Sequence, residues 1–240
     1  MIKQTHIVID LETMGKGPNA PIAAIGAVVV RDAQPLDEFY RRIDLESAMI
    51  PHWKREADAS TIQWWLQQSA EARAEIDGSQ PSSKIIPALE ELAGWMAIYA
   101  TARDAIVWGN GSSFDNVILR SAYSELSHPT PWQFWNDRDL RTILALYPEA
   151  KSVGAFEGTK HHALHDARHE AKQLCKALRL HAGQAESRIV LNDLLRQAAS
   201  LLDAPEAFAA ARARLADIIE GELENNPLLP QVEREEVRHG

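Results

Sequence analysis

Apolar residues along this chain fall into two patterns, short continuous runs and longer stretches in which they recur every third or fourth position. The run from His6 to Ile9 is rich in β-branched residues and predicts a strand leading into Asp10-Leu11-Glu12. Gly, Pro and Asn then mark a loop from Met14 to Pro21, and the apolar run from Ile22 to Arg31 fits a buried central strand. Weak alternation from Phe39 to Leu45 predicts a third strand, so the sheet opens as a meander. A short helix is expected from Ser60, its cap, through Leu66. A long amphipathic helix follows from about Ser83 to Ala100, with Ile85, Ile86, Leu89, Leu92, Trp95 and Met96 at helical spacing. A brief fourth strand, Ala105 to Trp108, ends in Gly-Asn-Gly, after which Ser112 or Ser113 is placed to cap a helix carrying Asp115 in its first turn.

Two further helices are expected, from Asp137 to Tyr147 and from Ala163 to Leu180, the second with Leu164, Ala167, Ala171, Leu174 and Leu178 on one stripe. Strands that alternate with helices after an antiparallel start predict an α/β fold, a mixed sheet flanked by helices. Beyond residue 183 the composition turns to Ala, Leu, Glu and Arg, with Ile189, Leu191, Leu194, Leu195, Ala198, Leu201 and Leu202 on one face. Asp203-Ala-Pro-Glu resembles a turn with a capping Asp and an early helical Pro, opening a helix through Phe208, Ala211, Leu215, Ile218 and Ile219. The expected organisation is therefore a main domain over 1–183 and a helical hairpin over 184–240 that ends in a charged tail from Asn226. One-sided helices this short need cover from the main domain or from a second subunit, which makes a homodimer one of the two outcomes.

Composition narrows the class. A chain of 240 residues holds one α/β domain with a small appendage. Cys175 is the sole cysteine, which excludes an intrachain disulfide and suits a buried core thiol in a reducing compartment. The longest apolar run, Pro21 to Val30, is too short to span a bilayer, and the first residues lack a signal-peptide layout, so the expectation is a soluble cytoplasmic protein with no membrane partner. The net charge of −9 excludes a basic, sequence-independent nucleic-acid coat. It leaves room for an enzyme whose acids hold metal and whose basic lining is local, drawn from Arg41, Arg42, Lys54, Arg55, Arg138, Arg141 and Lys160.

The candidate chemistry lies in three separated segments. Asp10 and Glu12 are two apart on a strand and so share a face, where like charges repel unless a hard divalent cation sits between them. With Asp115 and Asp166 they form a quartet able to hold two Mg²⁺ or Mn²⁺ ions about 3.5–4 Å apart, the spacing that clamps the attacking and leaving oxygens of a phosphodiester. A neutral imidazole nearby would take the water's proton, and His161 is the one selected. Residues five apart on a helix diverge by about 140°, so His161 and Asp166 converge only if the histidine sits in the loop before the helix. The competing arrangement is zinc on His161 with His165, or His165 with His169, at helical four-residue spacing. Abundant carboxylates and a lone distant cysteine argue against it.

These residues resemble the DEDDh exonucleases of the ribonuclease H-like superfamily. The matching pieces are Asp10-Leu-Glu-Thr, Phe114-Asp115 and His161-x-Ala-Leu-x-Asp166-Ala, in order across most of residues 6–182. Three longer strings, Thr61-Ile-Gln-Trp-Trp-Leu-Gln-Gln-Ser-Ala-Glu-Ala-Arg73, Trp108-Gly-Asn-Gly and Phe134-Trp-Asn-Asp-Arg-Asp-Leu-Arg-Thr142, resemble the branch of T-even phage exonuclease A and the mycobacterial exoribonuclease. The resemblance implies a 3′–5′ exonuclease acting on single-stranded or 3′-ended DNA or RNA and releasing nucleoside 5′-monophosphates. It implies Asp10, Glu12, Asp115 and Asp166 on metal, His161 as base, and Thr13 and Met14 along the terminal nucleotide. Trp64 and Trp65, adjacent on a helix, point about 100° apart, so at most one, taken as Trp65, faces the cleft to stack on a base while the other packs in the core. Arg141 is a phosphate contact or, with Arg138, part of a helix-surface pair with Asp137 or Asp139. A non-catalytic module that binds nucleic-acid ends on the same fold is the alternative.

Overall fold

The first apolar run becomes the middle strand of a five-stranded sheet in the computed structural model, which describes residues 4–49, 55–201 and 212–221. Strand β1 (Thr5–Thr13) is flanked by β2 (Ile22–Arg31), antiparallel, and β4 (Ala105–Gly109), parallel. At the edges, β3 (Gln34–Arg42) runs antiparallel to β2 and β5 (Asp137–Asp139) parallel to β4, giving the order β3-β2-β1-β4-β5. This is the mixed α/β sheet flanked by helices that the alternation of strands and helices predicts. The helices are α1 (Leu45–Ala48), α2 (Ala59–Leu66), α3 (Ala70–Arg73), α4 (Ile85–Tyr99), α5 (Asp115–Glu125), α6 (Leu140–Leu146) and α7 (Ala163–Leu201).

Both faces of the sheet are covered, which explains why β1 and β2 read as continuous apolar runs rather than as alternating ones. Ile7, Ile9 and Leu11 pack with Leu89, Leu92 and Met96 of α4 and Ile118, Leu119 and Ala122 of α5. Val8, Val28 and Val30 meet Leu140 and Leu144 of α6 and Ala167, Ala171 and Leu174 of α7 on the other face. By the strand period, Asp10 and Glu12 continue the row of Val8 and so belong to the α7 side. Cys175 is buried in that second core.

Several expected elements differ. The third strand begins at Gln34, earlier than Phe39, because a two-residue turn at Asp32 and Ala33, both with φ of 53°, closes the hairpin. Its largely exposed edge position weakens the alternation. Asp58, not Ser60, occupies the cap position of α2, and its Oδ2 accepts the Lys16 backbone N–H at 2.7 Å. Phe114, rather than Ser112 or Ser113, precedes α5, with no side-chain cap bond. The segment expected as helix from Asp137 starts as strand β5, and Asp139 then caps α6 by accepting the Arg141 N–H at 3.1 Å. Helix α7 continues through Gly183 to Leu201, since one interior glycine costs only about 1 kcal/mol and no proline intervenes.

Contacts divide the chain into two compact units, Met1–His181 and Ala182–Gly240. The second contains the end of α7 and a helix over 212–221. The expected turn at Asp203 and the tail from Asn226 lie outside the described residues. Among the described residues, no helix is long and apolar enough to cross a membrane.

Candidate active site

The site forms where β1 and β4 end and α7 begins. Asp10 pairs with Gly26 across β2, and that glycine decides how close α7 can come. A Cβ at position 26 would lie 2.2 Å from the carbonyl carbon and oxygen of Ala163, so only glycine lets the first residue of α7 rest on the sheet. Gly109, the last residue of β4, plays the same part for Asp115, whose carboxylate would lie 2.9 Å from a Cβ there. Asp115 is 2% exposed and accepts two backbone N–H groups, Leu11 at 3.1 Å and Asn110 at 2.9 Å, tying the ends of β1 and β4 to α5.

His161 sits in the turn before α7, as convergence with Asp166 requires. Its backbone is left-handed, with φ of 63°, and its N–H donates to Asp166 Oδ2 at 2.7 Å. A carboxylate oxygen of Glu12, one of Asp166 and a ring nitrogen of His161 all lie within 4.8 Å of one another. Among the described residues this is the only group of three such side chains so close, and Asp10 and Asp115 stand outside it. The histidine pairs expected for zinc are otherwise engaged. His165 Nδ1 accepts the Thr159 N–H at 3.0 Å and its ring stacks on His162 at 3.9 Å, while His169 lies against Phe156 at 5.3 Å.

Burial pushes the carboxyls of Asp10, Glu12 and Asp166 above their usual range, and repulsion from neighbouring carboxylates, Glu170 first for Asp10 and Asp166 first for Glu12, adds to it. Asp115 is pushed up to about 6 by burial, against the opposing pull of its backbone donors and Arg141. A fifth acid, Glu170, is buried at 5% exposure and likewise raised by burial first and by Asp115 next. Glu170 was not among the expected ligands, although it lies one helical turn after Asp166, four residues on, where side chains share a face.

Trp65, expected to stack on a base, is instead a core residue at 1% exposure, its Nε1 donating to the Thr13 carbonyl at 3.0 Å. Its neighbour Trp64 is the open one, 39% exposed and edge-on to the His161 ring at 4.8 Å. Met14 is buried with Trp65, and the Thr13 hydroxyl donates to the Gly15 carbonyl at 2.7 Å. Arg141 is exposed and donates from Nε to Asn110 Oδ1 at 3.2 Å, beside the backbone that holds Asp115.

Most of the expected basic lining serves the fold. Buried Arg55 pairs with Glu125 at 2.9 Å and donates to the Ala20 carbonyl at 2.7 Å. Arg42 pairs with buried Glu75 at 2.5 Å, Arg41 pairs with Glu91, and Arg138 donates to the Trp135 carbonyl at 2.9 Å. Lys160 is exposed, and Lys54 lies outside the described residues. Glu75 also accepts the Tyr40 hydroxyl at 2.8 Å, and Tyr40 stacks on His162 at 4.5 Å, so this buried cluster braces the residue next to His161.

Clustered carboxylate oxygens with one imidazole form the donor set of a hard divalent cation, and an oxygen of buried Glu170 without a hydrogen-bond partner marks the same need for positive charge. Acids gathered at the strand ends of a mixed sheet define a candidate divalent-metal site. The chain belongs to the Rv2179c-like 3′–5′ exoribonuclease domain family, whose model matches residues 5–178, and it is a 3′–5′ exonuclease. An exodeoxyribonuclease of Enterobacteria phage T4 is 29% identical over 212 residues, covering 73% of this chain and 90% of the phage protein. The nuclease domain of 3′hExo, a DEDDh family member bound to rAMP, is similar with a TM-score of 0.48 at 14% identity, over 74% of this chain and 93% of that one. Exonuclease X in complex with 5′ overhanging duplex DNA gives a TM-score of 0.45 at 16% identity, over 73% and 92%.

Proposed function

We propose that the enzyme removes nucleotides from the 3′ end of DNA or RNA as nucleoside 5′-monophosphates, using two Mg²⁺ or Mn²⁺ ions and His161 as general base. The observation that carries this reading is the Glu12–His161–Asp166 trio within 4.8 Å, next to a half-buried Asp10. Asp10, Glu12, Asp115 and Asp166 would hold the cations, which supply Lewis acidity toward the phosphodiester and its attacking water. The His161 imidazole takes the proton of that water as its oxygen bonds to phosphorus. The P–O3′ bond of the preceding nucleotide breaks, and that oxygen takes a proton from solvent water to become the new 3′-hydroxyl.

The roles of Trp64 and Arg141 follow from exposure. Trp64, open and beside His161, offers its indole face to the terminal base. Arg141, held by Asn110, reaches a phosphate of the strand. Thr13 and Met14 shape the floor beneath the sugar.

The family is described by action on RNA and the phage relative by action on DNA, so matched strands are the direct test. Oligonucleotides of both kinds, internally labelled and incubated with Mn²⁺, are expected to release 5′-mononucleotides from the 3′ end, with EDTA abolishing release. Release that persists in EDTA, or products bearing a 3′-phosphate, would refute the mechanism. Binding without release would instead favour an end-binding module.

A further inference from the structure

A carboxylate outside the quartet, Glu170, is buried at 5% exposure, one helical turn after Asp166. Its Oε1 accepts from Asn110 Nδ2 at 2.6 Å. Asn110 in turn gives its backbone N–H to Asp115 at 2.9 Å and receives Arg141 Nε at 3.2 Å. One oxygen of Glu170 is thus fixed by a residue that also fixes a quartet member. The other, Oε2, is buried and has no hydrogen-bond partner.

That orphaned atom is the informative one. An ionised carboxylate buried for structural reasons needs a donor or a cation on each oxygen, and among the described residues no Lys or Arg forms an ion pair with Glu170. The ionised form is therefore left unsatisfied by the described residues, so the partner of Oε2 comes from outside them. The site already gathers oxygen donors for a divalent ion, and α7 presents Asp166 and Glu170 one turn apart on the same side.

We propose that Glu170 is a fifth carboxylate of the metal cradle, turning its free Oε2 toward the cation held beside Asp10 while Asn110 fixes its other oxygen. The proposal rests on the divalent-metal reading of the site. It makes the Asn110 amide a positioning group for Glu170 and Arg141 together.

The test is calorimetric titration of Mn²⁺ into the wild type and Glu170→Gln, with melting of both proteins in EDTA. Glutamine keeps the shape and the acceptor for Asn110 but loses the charge. The expected result is Mn²⁺ affinity lowered about 10–100-fold, with no loss of metal-free stability because one of several clustered like charges is gone. Unchanged affinity in Glu170→Gln, with the wild type binding normally, overturns the role of Glu170 and leaves the metal site standing. A wild type that binds no Mn²⁺ overturns both. Should Glu170→Gln fail to fold, Glu170→Asp keeps the charge but withdraws it by one methylene. Weaker binding by that variant supports the proposal, and wild-type affinity refutes it.

Discussion

His161 is held in a conformation that costs a non-glycine residue about 1–3 kcal/mol, and it is held from both sides. Its N–H is tied to Asp166, its ring meets Trp64, and the next residue is sandwiched between the rings of Tyr40 and His165. For the proposed general base this fixity matters, because proton transfer needs the ring nitrogen within hydrogen-bond reach of the water. His161→Ala is therefore expected to lower single-turnover cleavage at saturating Mn²⁺ by about 10²–10⁴, while Mn²⁺ affinity changes little. Because the imidazole also lies at ligand distance from Glu12 and Asp166, the contrary outcome is concrete: affinity collapses and excess Mn²⁺ restores the rate, which would make His161 a ligand. At this scale the sequence was legible where geometry is local. Two-residue strand spacing places Asp10 with Glu12, and the five-residue gap puts His161 ahead of α7. The choice between Trp64 and Trp65 was not, because adjacent helical residues point about 100° apart and only the bond to the Thr13 carbonyl shows which turns inward. Glu170 resembles any surface glutamate of a helix until Asn110 is seen against it.

Elements place those residues, and the sheet meets α7 at a single glycine. With a Cβ at position 26 only 2.2 Å from backbone atoms of Ala163, no rotamer change relieves the clash, so the start of α7 must lift. Gly26→Ala is expected to cost about 1–3 kcal/mol and to lower the cleavage rate by about 10² through misplacement of Asp166 and His161. Thermal melting and single-turnover rates would check both, and a variant as stable and active as the wild type would show that α7 is not seated on β2 as described. Periodicity revealed β1, β2, α4 and the first half of α7, all elements with a long apolar stripe. It could not reveal β5, whose residues Asp137, Arg138 and Asp139 are all charged and form a strand only because the exposed edge of β4 offers partners. Arg55 misled for a related reason: a buried arginine bonded to Glu125 and Ala20 is, in sequence, one more basic residue near an active site.

For the whole molecule, a net charge of −9 and a buried acidic cluster act in the same direction on stability. Asp10, Glu12, Asp115, Asp166 and Glu170 all hold their protons to higher pH than free carboxyls do, with burial as the leading cause in each. Unfolded carboxyls titrate near pH 4, whereas Asp115 in the fold titrates at about 6 and Asp10, Glu12 and Glu170 well above their ordinary values. Between those limits the folded state binds more protons than the unfolded one, so stability from these groups is complete below the unfolded values and is lost as pH rises through the folded ones. Asp37 works the other way, lowered by the Tyr99 hydroxyl and Trp95, and its contribution is lost only on acidification. Metal-free protein is thus expected to melt at a lower temperature near pH 8 than near pH 6, and Mn²⁺ to raise the melting temperature more at the higher pH, where the carboxylates are ionised and ready to bind. Asp10→Asn should flatten the metal-free slope and shrink the Mn²⁺ increment together, since one buried charge underlies both. A metal-free protein whose melting temperature rises from pH 6 to pH 8 would mean that these acids find compensation within the chain, and the need for external cations would lose its physical basis.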